Sequence, residues 1–378
     1  MKAIVDCNNF YCSCERLFKP HLDKQPVVVL SNNDGCIVSR SDEAKKLGVE
    51  MAGPYFMAKP LIEKNNVAVF SSNYNLYGDL SWRVMETLRI MLGKKNVEVY
   101  SVDEAFIDLD IFPPEDLAAI AKEIRTTVED WTGIKVSVGI APTKVLAKLA
   151  NRIAKKNKQK TDCITVLDTE EKIINALRQT PVGDIWGVGG QYAHKLKEYW
   201  SIYDALQLRN AGEEFARIHL GGVMGVRLIK ELNGEAAKDM EEELVNKKMI
   251  ATTRMFGSPV RDVNDIKEAV ATYTSRAAEK LRRQHSAARI INVFVVSKEE
   301  NHSVNFNRGA THSNYIQLPA ATSITNELIK PAVALVDRLY KKGTLYKKAG
   351  VMLSGIVPDD SIQGNLFFHG ELKYFKLL

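Results

Sequence analysis

Apolar and polar positions change period several times along the chain, and each change marks an element. Ala3-Ile4-Val5 is a short apolar run ending at Asp6, the pattern of a buried strand. A helix is expected over 12–18. Pro26 to Leu30 is a second strand, Asn33-Asp34-Gly35 a hairpin turn, and Cys36 to Ser39 the returning partner. Residues 42–47 read as a helix closed by Gly48, and 53–66 as a small helical unit. Val84, Leu88 and Met91 have helical spacing within 81–91. Val97 to Val99 and Ala105 to Leu109 are β-branched and aromatic runs around a tight acidic turn, a hairpin with Asp103 and Glu104 at its tip. Leu117, Ile120, Ile124 and Val128 put an apolar stripe on a helix over 115–131, before a strand over 135–140 and a helix over 144–156. This succession predicts a mixed α/β (α+β) sheet covered by helices.

From about residue 170 the texture shifts to short helices broken by glycine, at Gly187-Val188-Gly189-Gly190, Gly221-Gly222, Gly225 and Asn233-Gly234. That is a small helical domain. The charged stretch from Lys238 to Lys248 reads as an exposed linker. A helix over 265–283, a strand over 290–296, a helix over 323–341 and a strand over 349–353 make a second α/β domain of β-α-β…α-β type. A tail follows from 357. The chain has no internal repeat.

Composition sharpens this only at the margins. A chain of 378 residues is expected to form two to four domains, and 45% hydrophobic with 26% charged residues is globular. No apolar run has the length to cross a bilayer, and MKAIVDCNNF is not a signal peptide. Lys and Arg exceed Asp and Glu by 52 to 46, too small an excess to decide anything. Five cysteines, with Cys7, Cys12 and Cys14 clustered but no CxxC pair, argue for reduced cytosolic thiols and against zinc.

The chemistry centres on the acidic turn. An Asp-Glu turn between strands is ordinarily solvated. Asp6, however, ends a strand beside it, so three carboxylates fall on adjoining strands. Neighbouring carboxylates repel each other and lose hydration, and divalent cations relieve both costs. Two such ions about 4 Å apart suit phosphoryl transfer. Asp108, further along the returning strand, reads as structural. Lys144, Lys148, Arg152 and Lys155 are spaced four, four and three apart on one helix face, and no acid interrupts 144–160. Basic faces are usually just solvated. Here the unrelieved repulsion points to an anionic partner, either nucleotide phosphates or a nucleic-acid backbone. The glycine turn at 187–190 exposes N–H groups at a helix start, which suit phosphate, although a plain turn explains it equally. Arg276, Lys280, Arg282, Arg283 and Arg289, with Arg308, Lys347 and Lys348, load the second α/β domain with positive charge. Tyr11 is either a core aromatic or, beside a metal–nucleotide site, a block against a 2′-hydroxyl.

Taken together, Asp6-Cys7-Asn8-Asn9-Phe10-Tyr11 and Tyr100-Ser101-Val102-Asp103-Glu104-Ala105-Phe106 resemble the two acidic motifs of the Y-family translesion DNA polymerases. Segments 28–36, 70–74, 144–151, 276–282 and 348–353 resemble its UmuC branch in particular, over about residues 1–368. The resemblance implies a right-hand polymerase. Its parts would be a ferredoxin-like palm (1–10 and 75–165), small fingers (11–74), a helical thumb with a helix-hairpin-helix (166–238), a linker (239–246), an α/β little finger (247–356) and a tail (357–378). It implies error-prone, template-directed synthesis in DNA repair and the SOS response, with two Mg²⁺ ions. Asp6 and Asp103 would bind both ions and Glu104 complete the site, with the Cys7 carbonyl as a further ligand. Tyr11 falls at the steric-gate position. Lys155 matches a triphosphate lysine, Lys45 stands where relatives carry an arginine, and Asp42 replaces a tyrosine. Gly187 and Gly189 would grip the DNA backbone, and Arg276, Lys280 and Arg282 would contact DNA from the little finger. Gln363, Leu366 and Phe367 resemble a sliding-clamp peptide, with Gly364 in place of a leucine. The implied partners are primer–template DNA, deoxynucleoside triphosphates, the sliding clamp, an UmuD-like dimer and a recombinase filament. No membrane is involved, and the expected place is the bacterial cytoplasm at the nucleoid. A two-metal nuclease and a non-catalytic DNA- and clamp-binding scaffold are the rival readings.

Overall fold

Strand β1 (Lys2–Cys7) leads into α1 (Phe10–Leu17). A small α/β segment follows: β2 (Val27–Leu30), β3 (Ile37–Arg40), α2 (Asp42–Lys46), α3 (Tyr55–Lys64) and β4 (Ala68–Phe70). Then come α4 (Tyr74–Leu92), β5 (Val97–Val99), β6 (Glu104–Asp108), α5 (Leu117–Thr132), β7 (Val136–Ala141), α6 (Lys144–Lys156), α7 (Lys158–Thr161) and β8 (Ile164–Val166). Four helices close the first unit: α8 (Glu170–Arg178), α9 (Gly190–Trp200), α10 (Ala205–His219) and α11 (Val223–Leu232). This computed structural model describes residues 1–241, 246–298 and 309–364. The chain divides into two units at residues 243 and 244.

The central sheet has the order β5-β6-β1-β7-β8, with β1 antiparallel to both β6 and β7. With α4 and α5 packed on one face, the β7-β1-β6-β5 order is ferredoxin-like. Alternation along β1 sorts its side chains. Ala3, Val5 and Cys7 enter the core shared with α4 and α5, whereas Ile4 enters a second core with Phe106, α6 and the helices after residue 170. Asp6 shares the face of Ile4, so it points to the α6 side at the strand's end. Gly139, opposite Ile4, makes that side shallow. A Cβ there would lie 2.2 Å from the Asn151 nitrogen and 2.4 Å from the Ala147 oxygen, so the α6 backbone rests directly on β7. The side chains of α6 are thereby carried over β1 and β6.

The segment after α1 forms its own three-stranded sheet, β3-β2-β4, around Val28, Leu30, Ile37 and Ile62. Its hairpin turn holds Asp34 at φ +54°. Helix α4 begins at Tyr74, seven residues before the expected start, because Asn73 caps it by accepting from the Leu76 N–H at 3.2 Å. The expected exposed linker is corrected at its start: the Ala237 and Lys238 N–H groups donate to buried Glu231, and the Lys238 ammonium lies 3.7 Å above the Trp186 ring. Residues 242–245 lie outside the described part.

The second unit comprises β9 (Ile250–Val260), α12 (Val263–Arg283), β10 (Ser286–Ser297), β11 (Thr311–Thr322), α13 (Thr325–Leu339) and β12 (Tyr346–Pro358). Its sheet, β11-β10-β12-β9, is antiparallel throughout, and both helices pack on one face around Ile266, Leu281, Leu328 and Leu335. The β-α-β…α-β expectation lacked β9 and β11. Both are outer strands whose residues are mostly exposed or half-buried, so hydrophobic alternation does not announce them. Among the described residues no helix is long and apolar enough to cross a membrane.

Candidate metal and nucleotide site

The register of β1 on β6 sets Asp6 directly opposite Glu104. Cross-strand partners share a face, so the two carboxylates sit side by side. The Cys7 N–H donates to the Asp103 carbonyl at 2.8 Å, which staples the turn to the end of β1. The Ser101 hydroxyl then donates to the Asp103 carboxylate at 2.7 Å. Asp108 is at the other end of the strand pair, bound to Lys2 at 2.8 Å. Beyond β1, Asn9 takes the left-handed conformation at φ +48°, turning the chain into α1 so that Tyr11 flanks the acids.

Asp6, Asp103, Glu104, Tyr11, Lys45 and Lys155 line one cavity of about 450 Å³. A second, of about 560 Å³, shares Asp6, Glu104, Lys45 and Lys155 and adds Lys148, Arg152 and Trp186. Burial pushes the Asp6 carboxyl up to about 7, against the pull of Lys155.

The basic face of α6 is not the unopposed surface that the acid-free stretch suggests. Lys144 is buried against Glu98, Arg152 meets Asp184, and Lys155 meets Asp6. Lys148 spans both Glu104 oxygens, at 2.9 and 3.0 Å, beneath Tyr100. Past the helix, Lys158 meets Asp42. Each cation is answered by an acid from a different part of the chain. Lys156 and Lys160 remain exposed.

Among the described residues no three His, Cys, Asp or Glu side chains converge as a ready-formed metal cluster, since Asp6 and Glu104 are turned to lysines. The donor set nevertheless fits a hard divalent cation. It consists of carboxylate oxygens, and burial disfavours the charged form of Asp6 unless positive charge stands beside it. A bound cation and the two lysines meet the same electrostatic need.

The remaining expected residues are distributed as follows. Lys45 is exposed, 3.0 Å from the Asn9 side-chain oxygen Oδ1 and 3.2 Å from Asp42. Burial opposes the Asp42 charge, yet Lys158 and Lys45 hold its carboxyl well below the ordinary range. Gly187 has φ +106° and Gly189 caps α9, so the glycine turn does open a helix N-terminus. Arg276 and Lys280 are exposed on α12. Arg282 is engaged within its own unit, donating to the Ser323 carbonyl and the Thr325 hydroxyl at the start of α13. Gln363 is exposed, while Leu366, Phe367 and Arg308 lie outside the described residues. The sequence reading missed Glu98, Asp184, Glu15 and Tyr77. The isolated Glu98 between Val97 and Val99 was the one available signal among them.

Residues 5–152 match the impB/mucB/samB family, and residues 247–366 match that family's C-terminal domain. Protein UmuC of Salmonella typhimurium is 42% identical over 368 residues, covering 97% of this chain and 86% of that one. Protein ImpB of the same organism is 38% identical, covering 97% and 85%. DNA polymerase IV of Brucella melitensis is 28% identical, covering 95% and 76%. Among solved structures, a Y-family DNA polymerase chimera superposes with a TM-score of 0.78 at 21% identity, covering 94% of this chain and 99% of that one. DinB from Sulfolobus solfataricus gives 0.58 at 22%, covering 94% and 98%. The right-hand fold is thus that of the Y-family polymerases, and the chain belongs to the impB/mucB/samB family, alongside UmuC.

Proposed function

We propose that the chain is a template-directed translesion DNA polymerase. The observation that carries this reading is the Asp6–Glu104 pair with Asp103 stapled beside it, on a cavity that also holds Lys155 and Tyr11. The primer 3′-oxygen forms a bond to the α-phosphorus of a deoxynucleoside triphosphate, the α–β bridging bond breaks, and pyrophosphate leaves. Asp6, Asp103 and Glu104 hold two divalent cations, Mg²⁺ by their hard oxygen donors. Bound there, the ions supply Lewis acidity for the attacking and leaving oxygens. Lys155 and Lys45 receive the phosphates, and Tyr11 excludes the ribose 2′-hydroxyl.

In this reading the palm is 1–10 and 75–165, the fingers 11–74, the thumb 166–238 and the little finger 247–356. Primer–template DNA is held by backbone N–H groups at Gly187 and Gly189 and by Arg276 and Lys280. Arg282 serves mainly to tie α12 to α13. Gln363, Leu366 and Phe367 dock on a sliding clamp, and the likeness to UmuC adds an UmuD-like dimer and a recombinase filament as partners. Primer extension by wild type and Asp103→Ala tests the core of it. Extension that needs deoxynucleotides and is lost in the variant supports polymerisation. Equal extension in both overturns the metal assignment, and degradation without nucleotides identifies a nuclease.

A further inference from the structure

Behind Tyr11 stands a group of side chains that the reaction itself does not use. The Tyr77 ring, 1% exposed in the first turns of α4, stacks on the Tyr11 ring with centroids 4.3 Å apart and planes 14° from parallel. The Tyr77 hydroxyl donates to the Glu15 carboxylate at 2.8 Å. Tyr11 and Glu15 are four residues apart on α1 and therefore share a helix face. One tyrosine is thus held at its ring by the first and at its hydroxyl by the second. Tyr74, one turn before Tyr77, stands edge-on to both rings at 6.1 Å.

We propose that Tyr77 and Glu15 are positioning residues that fix the Tyr11 ring, and that sugar selectivity depends on them. This rests on the assignment of Tyr11 as the sugar filter. A filter that rejects a single hydroxyl must not swing aside, because a displacement of about 1 Å opens the room that the hydroxyl needs. Ring stacking alone leaves Tyr11 free to slide along the face of its neighbour. The Glu15 bond removes that freedom by anchoring the neighbour to the same helix that carries Tyr11. Burial also pushes the Tyr77 phenol well up, with Glu15 reinforcing the shift, so the hydroxyl stays protonated and remains the donor. Ordinary core packing needs neither the buried carboxylate nor the near-parallel rings, since a leucine or phenylalanine fills such space without a partner.

The test compares incorporation of a deoxynucleoside triphosphate with its ribonucleotide by wild type, Tyr11→Ala, Tyr77→Leu, Tyr77→Phe and Glu15→Gln. Tyr77→Leu is expected to lower the deoxy-over-ribo ratio of kcat/KM by about tenfold, the upper range for an aromatic pair, with deoxynucleotide kcat/KM nearly unchanged. Tyr77→Phe keeps the ring and loses the anchor, so its ratio falls less. Glu15→Gln keeps an acceptor and is expected to match wild type. Wild-type discrimination by both Tyr77 variants, with Tyr11→Ala permissive, overturns the proposal and leaves the filter standing. Should Tyr77→Leu fail to fold, Tyr77→Phe decides alone on the same criterion. Discrimination that survives Tyr11→Ala removes the filter reading itself.

Discussion

The Lys144 ammonium and the Glu98 carboxylate form an ion pair with only 3% and 7% of their side chains exposed. Lys144 also donates to the Asp239 carbonyl at 2.6 Å, and Glu98 accepts from the Glu241 N–H at 2.8 Å. The pair therefore binds the segment after α11 to the central sheet. Glu98→Met strands a buried ammonium and is expected to destabilise the chain by about 3–5 kcal/mol. The double variant Lys144→Met with Glu98→Met removes both charges and should recover most of that loss. Urea unfolding measures both, and equal losses in the single and double variants would show that the pair's charges are not what matters.

Close approach of α6 to β7 yields a second expectation. Gly139→Ala puts a methyl into the backbone of Ala147 and Asn151, which cannot rotate away as a side chain could. The expected cost is about 3 kcal/mol or more, at the upper end for overpacking. Gly78→Ala is the control: nothing lies within 4 Å of its added Cβ in the interior of α4. That change should stabilise by about 0.5–1 kcal/mol, as removing glycine from a helix does. Thermal melts of the two variants shifting in the same direction would contradict this account of the contact.

These residues also show how far sequence reading reached. The helix expected over 144–156 matches α6 to its last residue, and in the structure Thr143 caps its start by accepting from the Leu146 N–H. The three acids were found because two adjoin in sequence and the third ends the first strand. The counter-charges were not, since Glu98, Asp184 and Asp42 reach the α6–α7 face from distant segments and no local spacing announces them. The unpaired row of cations was therefore a one-dimensional impression of a three-dimensionally balanced array. Tyr77 escapes for a related reason: its role depends on a ring 66 residues earlier, and it lies before the start at 81 that the apolar spacing gives its helix.

In the metal-free protein Asp6 should make stability depend on pH. Its folded carboxyl is pushed up to about 7 from an ordinary 3.8, chiefly by burial, with Glu104 and Asp103 adding to burial and Lys155 opposing it. Between those values the folded state binds more protons than the unfolded state, so stability falls as pH rises from about 4 to 7. Asp6→Asn removes that contribution. In chelator, the variant and wild type should melt alike near pH 4, and the variant should melt higher at pH 8. Added Mg²⁺ at pH 8 should then raise the melting temperature of wild type and not of the variant. Parallel melting curves in chelator from pH 4 to 8 would refute the shift.

Lys155 separates the two anionic partners that a basic helix face allows. In the structure its ammonium satisfies Asp6 and lines the same cavity as Tyr11 and Lys45. With a divalent cation held at Asp6, the lysine would be left facing that cavity and would need a new anion. In the proposed function a phosphate of the incoming nucleotide would meet that need where the bond is made, whereas a DNA phosphate would have to enter the nucleotide's own space. Lys155→Ala is therefore expected to raise KM for deoxynucleotides about ten- to a hundredfold, the range for one charge-assisted hydrogen bond. Affinity for primer–template DNA without nucleotide, and its salt dependence, should stay as in wild type. If the variant instead binds DNA more weakly with a salt slope reduced by about one, Lys155 contacts the nucleic-acid backbone. The exchange of partners between Asp6 and phosphate would then have to be abandoned.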